Sequence, residues 1–285
     1  MRPALRASLV NIVANAFLFV MKLIGGLLTG SLALLSDAMN SASDMIYSVA
    51  IIFAVRISNK AADKDHPFGH HRAEPIAGIL VAILAGILGF EIIKAGVDGL
   101  MNPGVIMMGH LAVVVLVVTM GLKTVMWVYF KKVGTKFLSP AIRACSMDSR
   151  NDVLVSGVAL LGVLGSMSGL PSLFAMDDIA AMIIGAFIIW SGYKIGAENI
   201  DFLMGKSPGE EMIARIKEKA LSVNGVKGLN DVKAHYVGNF VHVEVHIEVD
   251  KDMSTKKSHD LGKRVEKEVE RLHGIDKAFV HVDPV

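Results

Sequence analysis

A chain of 285 residues that is 53% apolar, with positive mean hydropathy, is too rich in apolar residues for a soluble domain of ordinary composition. Its formal net charge of +2 is too small to argue for a nucleic-acid partner, and a single cysteine, Cys145, excludes both a disulfide framework and a cysteine-rich zinc module. Half of the charged side chains fall in residues 206 to 285, so a membrane segment, 1 to 206, is expected to precede a water-exposed one, 207 to 285, with Pro208 and Gly209 at the joint. No cleavable signal peptide is expected, because the first apolar stretch starts almost at once and outruns a signal core.

A hydrocarbon core of about 30 Å takes about 20 helical residues. Six apolar stretches of that order are predicted, near residues 9 to 28, 32 to 55, 75 to 99, 105 to 130, 141 to 166 and 177 to 203, with joints at Thr29-Gly30-Ser31, Asn102-Pro103-Gly104 and Ser168-Gly169-Leu170-Pro171. The fifth rests on length and neighbours, since Arg143, Asp148, Arg150 and Asp152 crowd its first half. Basic residues cluster at Arg2 and Arg6, at Arg56, Lys60, Lys64 and Arg72, and at Lys131, Lys132 and Lys136, which by the positive-inside rule places both termini in the cytoplasm. Lys22 and Lys123 sit inside apolar stretches and are expected to snorkel to an interface. The sixteen methionines read as packing.

The tail reads as a small α+β domain. Glu210 to Val223 is predicted helical; Gly228 to Tyr236 and Phe240 to Val249 are predicted strands, the second alternating valine and isoleucine with Phe, His and Glu. Ser254 or Thr255 caps a helix carrying Leu261, Val265, Val269 and Leu272, and Lys277 to Asp283 is a last strand, giving the order αββαβ.

Polar residues interrupt the second and fifth spans. Asp37, Asn40 and Asp44 project from one helical face, and Asp148 and Asp152 repeat the i, i+4 spacing. A carboxylate at mid-bilayer costs at least ~2.5 kcal/mol and normally marks an ion or proton path. A lone buried aspartate would equally suit a structural pair with Arg150 or Lys123, but two pairs at the same spacing on two helices can converge on one cation. Three carboxylates and an amide offer hard oxygen donors, suited to Mn²⁺, Mg²⁺ or Fe²⁺. Asp37 is left at the cavity mouth or behind the ligands.

Two further constellations stand outside the spans. Asp63, His66, His70, His71 and Glu74 lie in the joint between the second and third, at spacings adequate for a divalent metal. In the tail, His242 and His246 share a strand face, His259 lies on the helix, and His281 and Asp283 share a face of the last strand; a solvated polar sheet face would look similar.

Six crossings, Ser31-Leu32-Ala33-Leu34-Leu35-Ser36-Asp37-Ala38 leading into Asn40-xxx-Asp44, His66-Pro67-Phe68-Gly69-His70 followed by Glu74, Asp148-xxx-Asp152, and the ending Val280-His281-Val282-Asp283-Pro284 together resemble the cation diffusion facilitator family over nearly the whole chain. The resemblance implies a homodimeric prokaryotic plasma-membrane exporter, without a prosthetic group, that exchanges a divalent transition metal for protons. It also implies a ferredoxin-like cytoplasmic domain that senses metal and dimerises. Carried onto this chain, the transport ligands are Asn40, Asp44, Asp148 and Asp152, the loop ligands Asp63, His66 and His70, and the cytoplasmic ligands His246, His259, His281 and Asp283. Zinc members usually place a histidine where Asp148 stands, so the all-oxygen set resembles the manganese-exporting branch, with Zn²⁺, Fe²⁺ and Co²⁺ as alternatives. Asn230 replaces a further tail histidine, and Gly205 an acidic partner for Arg72. A membrane-embedded metalloenzyme finds little support, since no His-Glu-x-x-His is present. A passive cation channel is the other rival.

Overall fold

The computed structural model describes residues 3–102, 108–136, 140–170, 173–238 and 240–285. Arg2, Pro103, Gly104 and Pro171 lie outside the described residues, as do the side chains of Arg6 and Lys136. Six long helices come first: α1 (Pro3–Thr29), α2 (Leu32–Ser58), α3 (Ala73–Met101), α4 (Gly109–Lys136), α5 (Pro140–Met167) and α6 (Met176–Leu203). Among the described residues five are long and apolar enough to cross a membrane. The remaining one, α5, matches them at 28 residues but carries Arg143, Asp148, Arg150 and Asp152.

The chain divides into two compact units, residues 1–50 with 80–195, and residues 51–79 with 196–285. In the first, Leu34, Leu116, Ala159, Val163, Ala181 and Ile184 form the centre of a buried apolar cluster. Small residues let helices touch: a Cβ added to Gly89 of α3 would lie 2.6 Å from the Gly185 carbonyl oxygen of α6, so only glycine permits that approach. Phe17, Phe90, Val125, Leu154 and Trp190 point outward, as they do when lipid is the solvent. The turn from α1 to α2 uses Gly30 at φ +70°, and the start of α2 is buried yet satisfied. Asp177, in the first turn of α6, accepts from the Leu32 N–H at 2.6 Å, the Ala33 N–H at 3.3 Å and the Ser31 hydroxyl at 2.7 Å, and so caps α2 from another helix.

In the second unit, α7 (Glu210–Leu221), β1 (Gly228–Val237), β2 (Phe240–Val249), α8 (Thr255–Glu270) and β3 (Ile275–Pro284) follow the expected αββαβ order. Ser254 caps α8, its side chain accepting from the Lys257 N–H at 3.5 Å. The sheet order is β1-β2-β3; β1 and β2 are antiparallel, while β2 and β3 run parallel because α8 returns the chain. Val241, Val243, Val245, Ile247 and Val249 bury one face of β2 with Ile216 of α7 and Leu261, Val265 and Val269 of α8. Pairing shifts between Leu229 and Asp231, so Asn230 sits in a β-bulge that re-aims its side chain.

Candidate metal sites

The residues expected to bind the transported ion sit where α2, α4 and α5 meet. Asn40 of α2 donates its amide to Asp152 Oδ1 at 3.3 Å, and the Lys123 ammonium of α4 bonds Asp152 Oδ2. Asp44 and Asn40 also line a small cavity of ≈ 30 Å³ with Ser43, Tyr47 and Ser191. Asp148, Asp152, Lys123 and Lys22 lie close enough to act electrostatically on Asp44. Among the described residues, Asp44, Asp148 and Asp152 are not gathered as a closed cluster, unlike the two groups below. Like charges spread, and Lys123 already occupies Asp152.

Two expectations about lysine need correction. Lys22 is wholly buried and Lys123 only 3% exposed, so neither reaches an interface. Lys22 donates to Asp37 at 2.8 Å and to Ser41 at 3.1 Å, and Ser156 donates to the other Asp37 oxygen at 2.7 Å. Asp37 is therefore a structural partner with both oxygens taken, rather than a group at the cavity mouth. A carboxylate on a neighbouring helix is nearer than water, and a buried charge needs a counter-charge.

The loop residues do come together: Asp63, His66 and His70 offer ligand atoms within 4.8 Å of one another. Asp63 Oδ1 accepts from the His66 N–H at 2.7 Å, Asp63 Oδ2 lies 3.3 Å from His70 Nε2, and the two imidazoles stand 4.4 Å apart. The His66 backbone N–H, and then the imidazoles, hold the Asp63 carboxyl below the usual carboxylate range, which keeps it an anionic donor. Glu74 opens α3.

In the tail, parallel pairing sets His246 against His281, with rings 4.8 Å apart. Asp283 lies 3.6 Å from His246 Nδ1 and 3.2 Å from His281 Nε2, and the three gather within 4.8 Å. Asn230 donates to Asp283 at 3.2 Å from its bulge. His259 is exposed on α8 and stands outside this group.

The profile of the cation efflux transmembrane domain matches residues 8–204, and that of the cation efflux protein cytoplasmic domain matches residues 208–285. The chain belongs to the cation diffusion facilitator (cation efflux) family. It is 34% identical over its whole length to an uncharacterized transporter of Methanocaldococcus jannaschii, covering 100% of both chains. Two manganese efflux system proteins of Bacillus subtilis, MneS and MneP, are 31% and 30% identical, each matched over 98% of this chain and over 94% and 95% of their own lengths. This cation efflux protein is accordingly an integral membrane transporter and not an enzyme, which closes the metalloenzyme reading.

One contact set escaped the sequence. His242 is buried rather than solvated, because the loop after α2 packs on its end of the sheet. Its Nε2 lies 3.2 Å from Asp276, His71 Nε2 lies 3.9 Å from the same oxygen, and the His71 ring stands 4.7 Å from Phe240. Burial pushes the His242 imidazole down from its ordinary pKa, and Asp276 opposes that in part. Gly238, at φ +62°, makes the approach possible: a Cβ there would meet the His71 carbonyl oxygen at 2.1 Å. A cavity of ≈ 810 Å³ opens beside this contact, lined by His70, Arg72, His235, His242 and Phe279.

Proposed function

We propose that this transporter exports Mn²⁺ from the cytoplasm in exchange for protons by alternating access. Asn40, Asp44, Asp148 and Asp152 bind the ion, and both termini lie in the cytoplasm. The observation that carries the reading is the donor set: α2 and α5 each present an i, i+4 pair, linked through Asn40 and Asp152, and every donor is oxygen. Oxygen-only sites suit Mn²⁺ better than Zn²⁺, which favours imidazole and thiolate. The two manganese efflux relatives support the same metal. Metal and protons compete for the same carboxylates, so protons arriving from outside release the ion and its arrival from inside expels them.

The test is uptake of Mn²⁺, Zn²⁺, Fe²⁺ and Co²⁺ side by side in proteoliposomes. Mn²⁺ is expected to give the highest kcat/KM. Asn40→His is expected to move the Mn²⁺ to Zn²⁺ ratio of kcat/KM towards Zn²⁺ by about tenfold, a 1.4 kcal/mol change in relative preference. An unchanged ratio would remove Asn40 from selectivity.

The loop group, Asp63, His66 and His70, is a second metal site on the cytoplasmic side. His246, His281 and Asp283 form a regulatory site in a tail that pairs with its copy in a homodimer, and His259 of α8 is left outside it. Metal bound there draws the two tails together and biases the transport equilibrium, which requires unequal affinity for the two arrangements. Spin labels on the exposed Lys251 of each protomer are expected to approach on metal addition in the intact protein and to stay apart in His281→Ala. A separation that ignores metal would end the sensing role.

A further inference from the structure

Asp152 does not stand free to receive a metal. Its Oδ1 accepts from Asn40 at 3.3 Å, its Oδ2 from Lys123, and Lys123 Nζ donates also to Asn15 Oδ1 of α1 at 2.6 Å. Every one of these lysine partners is an acceptor, as an ammonium requires. Lys123 is 3% exposed, so its charge is matched inside the bundle or not at all. The other buried lysine, Lys22, is committed to Asp37, whose second oxygen Ser156 fills.

The formal charges then pair off in a telling way. Of the carboxylates Asp37, Asp44, Asp148 and Asp152, Lys22 matches the first and Lys123 the last. Asp44 and Asp148 have no side-chain hydrogen bond or ion pair among the described residues. Four carboxylates against two ammonium groups leave a formal charge of −2, the inverse of one divalent cation.

We propose that Lys123 is a specificity-determining residue of the transport site, an internal cation that holds Asp152 until the metal displaces it towards Asn15 and that matches the site's charge to a single divalent ion. The proposal rests on the reading that Asn40, Asp44, Asp148 and Asp152 bind the transported metal. The physical reason is release. A transport site must bind well enough to load and weakly enough to empty. Without Lys123 the three carboxylates would face the ion with no ammonium beside them in a medium of low dielectric, and a divalent cation would be held too long. Lysine suits the role: a compact charge on a flexible stem can change partners without leaving the site, and Asn15 Oδ1 is the acceptor it keeps when Asp152 turns to the metal.

The experiment is initial-rate Mn²⁺ uptake in proteoliposomes at fixed pH. Lys123→Met is expected to lower KM by about tenfold or more and to lower kcat as release slows. Lys123→Arg, which keeps the charge, is expected to stay closer to the parent in both constants. Asn15→Leu removes the second acceptor, ties the ammonium more firmly to Asp152 and is expected to raise KM. A merely structural lysine would give fewer working transporters at unchanged KM. An unchanged or raised KM in Lys123→Met overturns the proposal. If that variant is not recovered folded, Asn15→Leu decides: a raised KM supports the role, and an unchanged or lowered one overturns it. Asp44→Ala separates the two levels: if it transports normally the metal-site reading fails, whereas if it is inactive while Lys123→Met keeps the parent KM, only the role of Lys123 fails.

Discussion

Asp44→Ala is expected to reduce metal flux to background while leaving a folded protein of normal thermal stability. The side chain has no hydrogen-bond or ion-pair partner among the described residues, so truncation orphans nothing. What it removes is one of three carboxylates. Losing even an outer partner of a metal ligand typically costs about 10- to 100-fold in affinity, and losing the ligand itself costs more. Asp152→Ala is expected to be equally inactive but a poorer experiment, because it leaves the Lys123 ammonium buried with only Asn15. Flux assays alone would not separate the two variants; flux together with thermal unfolding in detergent does. Full transport in a well-folded Asp44→Ala would remove this face of α2 from the ion path.

The second large effect concerns stability and spares transport. Lys22→Met leaves the Asp37 carboxylate wholly buried with only the Ser156 hydroxyl as partner, and breaking one side of a buried pair costs about 3–5 kcal/mol. Lys22→Met is therefore expected to lower the unfolding midpoint sharply. Lys22→Met combined with Asp37→Leu is expected to recover most of that loss, since an apolar replacement of both partners leaves no uncompensated charge. The double variant is expected to keep transporting Mn²⁺. A double variant that folds but carries no metal would place Asp37 in the ion path after all.

These two aspartates show what was legible in the chain and what was not. Asp37 and Asp44 lie on the same face of α2 in sequence terms, and periodicity assigns them alike. Their roles are separated by neighbours far away in sequence, Lys22 and Ser156 for the one and open space for the other. The same gap explains the lysines. A lysine in an apolar stretch reads as a snorkelling residue when its helix is taken alone; only packing puts a carboxylate within 3 Å of it. A charge count over all spans together would have pointed to pairing, because buried acids and buried lysines then occur in the same layer. Local features were easier. The alternation in Phe240 to Val249 and the spacing of Leu261, Val265 and Val269 give β2 and α8 close to their observed limits, since hydrophobic periodicity acts within one element. The loop group was readable for the same reason, its three side chains lying within eight residues. The His71, Asp276 and His242 contact was not, because it joins a loop to a strand more than 150 residues further on.

Proton movement is expected to drive divalent metal through the Asp-bearing helices, and the most direct test is Mn²⁺ flux in proteoliposomes with and without an imposed pH gradient. Acid on the side corresponding to the cell exterior is expected to stimulate Mn²⁺ movement towards that side, with protons counted in the opposite direction and both fluxes absent in Asp44→Ala. Mn²⁺ flux that is equal with and without the gradient, and moves no protons, would contradict exchange and leave passive conduction as the account of this transporter.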